Sequence, residues 1–184
     1  MIGTFPGTTV EVSHLDAGAS RRLFDGVFAA GGITLSQACV ISGLEPYVIQ
    51  NWVKRRFVPP PEGRSYTREH LARVLVISML KDSLQIERIC GLIHAIGGDE
   101  RDPSDDLTSF EELYHRYVDI LALGEVPITD AAAVTALASE AAAGVASHLP
   151  GAQKKLTAVF EVMLYAHAAT RFGALAGEKL FLLA

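Results

Sequence analysis

Six histidines and two cysteines are the side chains of this 184-residue sequence best suited to holding a metal or attacking a substrate. Cys90 and His94 stand four apart and would share one face of a helix, which makes half a metal site, but no second pair lies near them in sequence. Packing in the core is the simpler role for a free cysteine. The histidines at 14, 70, 94, 115, 148 and 167 are scattered. Of these, His115 between Tyr114 and Arg116, and His167 among alanines, are the ones placed to line a pocket. No glycine-rich phosphate loop is present, and no nucleophile stands beside a base, so no catalytic residue, cofactor or metal is expected. A different chemistry is written into Tyr47, Gln50, Asn51 and Lys54, which fall on one polar face at helical spacing. Gln and Asn pair bidentately with adenine in a major groove, and Lys54 with Arg55 would neutralise phosphates.

The segments around that face explain how it would be held. Leu35 to Ser42 and Pro46 to Arg55 read as two short helices, the first opened by a Thr34/Gln37 capping box and the second by Pro46 in its first turn. Between them Gly43 can take the left-handed conformation of a tight turn. A helix-turn-helix needs a small residue in the first helix, a glycine in the turn and a branched apolar residue in the second. Cys39, Gly43 and Ile49 stand at those offsets, with Trp52 as the next anchor. The run from Phe57 to Tyr66 contains three consecutive prolines and must be an extended loop or small hairpin. Thr67 then caps a long helix expected to be amphipathic, with Leu71, Val74, Leu75, Ile77, Ser78 and Leu80 inward. A further helix opens near Ser83 and closes at Gly97-Gly98.

Upstream, Ser13 to Ala30 fits a short helix ended by Gly31-Gly32, so residues 1–33 read as an added helical extension. Downstream, the acidic stretch within residues 99–108 marks a linker, and residues 109–184 an alanine-rich helical domain for dimerisation or an effector. Its helices are expected at Ser109 to Leu123, Asp130 to His148, Ala152 to Phe172 and Ala174 to Leu183, with Ser109 and Glu112 forming a capping box. No alternating stretch of useful length suggests a sheet, which leaves an all-α fold.

Charge is uneven along the chain. Residues 44–73 hold six Lys or Arg against three acids, a local +3, whereas residues 99–126 hold nine acids against two bases, a local −7, within a net −5. One basic segment in an acidic chain suits a nucleic-acid reader. A content of 49% hydrophobic and 20% charged residues, with mean hydropathy +0.27, excludes disorder. No apolar run reaches the length of a membrane span, the amino terminus lacks a secretion signal, and two cysteines suit a reducing compartment, so a cytoplasmic protein is expected.

The ordered pieces Ser42-Gly43-Leu44-Glu45-Pro46, Val48 to Trp52, Phe57 to Pro60, Arg64 to Thr67 and Leu84 to Ile89 resemble the DNA-binding domain of the MerR family of bacterial regulators. The same run is similar to an uncharacterised bacterial family, mainly Gram-positive, defined only as a domain of unknown function with a MerR-like half. The MerR resemblance implies a domain over residues 34–98, with Pro46 to Arg55 as recognition helix and Phe57 to Tyr66 as a short proline-rich wing. Arg64 and Tyr66 match the wing's phosphate-contacting positions. The sequence departs from that family where Gln50 and Asn51 replace its arginine and tyrosine, where Arg56 replaces the glycine ending the helix, and in the second half, which has no sustained heptad. The expectation is a homodimeric regulator that reads double-stranded DNA with Tyr47, Gln50, Asn51, Lys54, Arg55, Arg64 and Tyr66. A small-molecule effector is open in principle. The alternative is a protein-interaction adaptor that keeps the scaffold without DNA, which the acidic net charge mildly favours.

Overall fold

The structure, a computed structural model, describes residues 3–98 and 103–181. Two short antiparallel strands, β1 (Gly3–Thr4) and β2 (Glu11–Val12), pair Gly3 with Val12. Eight helices follow among the described residues: α1 (Ala19–Val27), α2 (Leu35–Ser42), α3 (Pro46–Lys54), α4 (Arg68–Leu80), α5 (Ile86–Gly97), α6 (Phe110–Ala122), α7 (Ala131–Ala143) and α8 (Ala152–Phe181). The class is all-α, as the sequence leads one to expect.

The helix starts follow from local chemistry. Thr34 Oγ1 accepts from the Gln37 amide, and the Gln37 side chain accepts from the Thr34 amide at 2.8 Å, a complete capping box. At α4 the partner of Thr67 is His70, whose Nδ1 accepts from the Thr67 amide at 3.2 Å. The other ring nitrogen then carries the proton and donates to the Pro60 carbonyl at 3.2 Å, which ties the proline loop to α4.

Helix α4 corrects the amphipathic expectation. Every residue from His70 to Ile77 is buried, because Leu-Ala-Arg-Val-Leu-Val-Ile places bulk on all sides instead of one stripe. It is the central helix, packed against α2, α6 and α8. Its one strong charge in that run, Arg73, lies over the Phe110 ring at 4.2 Å.

Helix α6 is joined to α4 through its first turn. The Glu69 carboxylate accepts from the amides of Phe110 (2.8 Å) and Glu111 (3.1 Å), occupying donors that a helix start leaves unpaired. Burial is the largest influence on this carboxyl and raises its pKa, against the pull of those two amides. The expected Ser109/Glu112 box is half made. Ser109 accepts from the Glu112 amide at 3.1 Å, but the Glu112 side chain turns to Arg116 (2.6 Å) and Arg21 (3.3 Å). Leu107 and Thr108 are buried, and the Leu107 amide donates to the Ile96 carbonyl at 2.7 Å; residues 99–102 of the acidic stretch lie outside the described residues.

At the amino end the helix expected over Ser13 to Ala30 is confined to α1, and the β1–β2 hairpin precedes it. Arg21 reaches Asp119 at 2.7 Å, and Arg68 spans from Asp25 to Glu111, so α1 is clamped onto α6 by paired charges. Between them Phe24 meets buried His115 edge-on at 4.9 Å, and His115 Nδ1 lies 2.9 Å from Ser20 Oγ. Burial holds that imidazole below the ordinary histidine range. At the other end Gly173 does not divide two helices. Helix α8 runs through it, since an interior glycine weakens a helix by about 1 kcal/mol without breaking it.

Candidate nucleic-acid interface

Helix α3 buries one side and exposes the other. Ile49 is 0% and Trp52 5% exposed, and the next turn of chain continues inward with Val58. On the opposite side Tyr47, Gln50, Asn51 and Lys54 are all exposed, Tyr47 at 69%, and Arg55 and Arg56 follow at the helix end. The expected polar face is thus a continuous surface.

The turn before α3 is held from two directions. Gly43 sits at φ 68°, and a Cβ there would lie 2.7 Å from the Thr9 methyl. Thr9 donates its amide to the Ile41 carbonyl (2.8 Å) and its hydroxyl to the Val40 carbonyl (2.6 Å), satisfying carbonyls that the end of α2 leaves open. The amino-terminal hairpin loop therefore braces the turn. No local signal in the sequence marks Thr9 for this role. The small fully buried residue of α2 is Ala38 at 0%; Cys39, at the expected offset, is half-buried.

Helix α3 ends in a left-handed residue that is not glycine. Arg56 has φ 61°, the Phe57 amide donates to the Trp52 carbonyl at 2.8 Å and the Arg56 amide to the Val53 carbonyl at 3.0 Å. This is the Schellman pattern. Phe57 then lies under the Arg55 guanidinium, 4.8 Å from ring centre, which fixes that cation at the helix end.

Beyond the prolines the chain doubles back. Glu62 and Ser65 exchange backbone hydrogen bonds at 3.1 and 3.0 Å, with Gly63 at φ 65° and Arg64 exposed at the tip. The returning strand pairs Tyr66 with Ile33, immediately before α2. That pairing draws Tyr66 out of the expected contact set. Its side chain is 4% exposed and packs edge-on against His70 at 5.7 Å, since the bridge to Ile33 turns it inward.

The cations differ in how they are used. Arg21, Arg22, Arg68 and Arg116 are each committed to carboxylates. Lys54, Arg55, Arg56 and Arg64 form no ion pair among the described residues. The structure thus brings Tyr47, Gln50, Asn51, Lys54 and Arg55 onto one surface and leaves Tyr66 beneath. No group of three or more His, Cys, Asp or Glu side chains among the described residues could hold a metal, and no described helix is long and apolar enough to cross a membrane.

Residues 35–117 match a protein family described as a domain of unknown function (DUF1836). The match begins with α2 and ends inside α6, so it contains the helix pair, the proline hairpin and the central helix together. Neither the curated proteins nor the solved structures contain a match to the chain.

Proposed function

We propose that this chain is a cytoplasmic DNA-binding transcriptional regulator that acts as a homodimer and reads duplex DNA with α2 and α3 as a MerR-like helix-turn-helix. The observation that carries this reading is the outer face of α3, where amide side chains suited to base edges stand beside cations that pair with no carboxylate among the described residues. In this reading Gln50 and Asn51 read bases and Tyr47 packs beside them. Lys54 and Arg55 hold phosphates at the helix end, and Arg64 does so from the tip of the Phe57–Tyr66 wing. Tyr66 serves from below, by fixing that wing to Ile33.

Each phosphate that a cation neutralises releases condensed counterions, so the affinity should fall with salt in proportion to the number of phosphates held. Selection from random duplex DNA supplies the site. Lys54→Ala with Arg55→Ala should then weaken binding and flatten the salt slope by about 1 for each phosphate no longer neutralised. An unchanged slope in the double variant, or no retention of the parent on duplex DNA at low salt, overturns the assignment. Exposed Val40 (71%) and Tyr47 on the same helix pair support the second reading, a protein-interaction adaptor. A stable protein complex formed without any DNA retention would select it.

A further inference from the structure

A cavity of about 740 Å³ lies between the β1–β2 hairpin, the ends of α4 and α6, the loop from Gly124 to Ile128, and α8. That volume is within the roughly 300–1,000 Å³ of small-molecule sites. Its walls are largely apolar, with Met79, Leu121, Val126 and Leu164 contributing. Phe172 and Leu175 line it from the later turns of α8, yet remain 59% and 49% exposed. Large apolar side chains left that open gain from any apolar body laid against them.

The same α8 wall carries His167 and, one helical turn on, Arg171. Arg171 forms no ion pair among the described residues. Burial, and then the Arg171 charge, hold the His167 imidazole below its ordinary range. The two acids on the cavity wall are placed differently: Asp82, after α4, is paired with Lys81 at 2.8 Å, and Glu125 belongs to the loop. The α8 wall is therefore the cationic one, and the apolar walls surround it.

We propose that this cavity binds an amphipathic monocarboxylate, of which a medium-chain fatty acid is the simplest form, with its chain along Leu164, Phe172 and Leu175 and its carboxylate on Arg171 beside His167. The carboxylate would supply a counter-charge that Arg171 does not receive from the described residues. A charge-assisted pair of this kind is stronger than a neutral hydrogen bond and favours the carboxylate over an equally long alcohol or amine. Binding at this cavity does not require α3 to touch DNA.

The test is calorimetric titration of the full chain, without DNA, using decanoate, decanol and decylamine. Decanoate should bind with micromolar affinity, ahead of decanol, with decylamine weakest. Arg171→Gln should weaken decanoate about tenfold while leaving decanol unchanged, as expected for removal of one charge-assisted pair. Phe172→Ser should weaken decanoate and decanol alike. Residues 171 and 172 are both exposed, so the variants should keep the parent's helical spectrum and melting point, which circular dichroism verifies. Absence of decanoate binding, decylamine binding as tightly as decanoate, or an unchanged decanoate affinity in Arg171→Gln each overturns the proposal.

Discussion

Arg56 is the residue at which local cost and proposed role can be separated. A side chain in the left-handed region costs about 1–2 kcal/mol relative to the right-handed one, and glycine avoids that cost. The Schellman bonds around Arg56 hold it there, on an exposed position with no ion pair among the described residues. Arg56→Gly should therefore raise stability, by about 0.5–1 kcal/mol once the extra freedom of glycine in the unfolded chain is counted. Urea unfolding measures it, and a drop in stability would mean that the arginine side chain makes a net contribution that outweighs its backbone. If Arg56 also meets phosphate, the same variant should bind DNA more weakly at low salt while unfolding later. Stability and binding then move in opposite directions, which a folding defect cannot imitate.

Among the elements, those specified by near neighbours are legible in the sequence. The capping box at Thr34, proline in the first turn of α3 and glycine between α2 and α3 each act within a few residues, so spacing alone locates them. What is not legible depends on distant partners. Thr9 braces a turn more than thirty residues away, and Tyr66 is drawn inward by Ile33 on the far side of the helix pair. Glu69 caps a helix that starts some forty residues later. The all-round burial of α4, by contrast, is expressed in its own residues, since the run from Leu71 to Ile77 carries apolar bulk on every side, and α2, α6 and α8 pack against it. Gly43 joins both kinds of information. Its φ of 68° suits glycine for local reasons, and the 2.7 Å approach of the Thr9 methyl adds a distant one. Gly43→Ala should cost about 1–2 kcal/mol from the backbone alone. Pairing it with Thr9→Ser, which removes that methyl and keeps the hydroxyl, should recover part of the stability in thermal unfolding. No recovery would show that the hairpin loop does not crowd the turn.

At the scale of the whole molecule, the charges partition the surface. Paired arginines lock α1 to α6, four cations at the end of α3 and the hairpin tip form no ion pair among the described residues, and α8 leaves apolar side chains open to solvent. Val162 and Tyr165 on α8 are 38% and 43% exposed, three residues apart, so they share one face of the helix. On the proposed reading as a homodimeric regulator, a two-fold contact needs a self-complementary surface away from α3, and this apolar face of α8 is where that reading puts it. Val162→Glu with Tyr165→Glu places like charges opposite one another across a two-fold axis. Sedimentation should then report a monomer where the parent reports a dimer. On that same reading, α3 is untouched, so the variant should still bind a half-site as a single unit of the parent would, yet forgo the gain that comes from linking two half-sites, about 10²–10⁴ in affinity. A parent that sediments as a monomer overturns the dimer contact altogether. A variant that remains dimeric moves the two-fold axis to another face of the molecule.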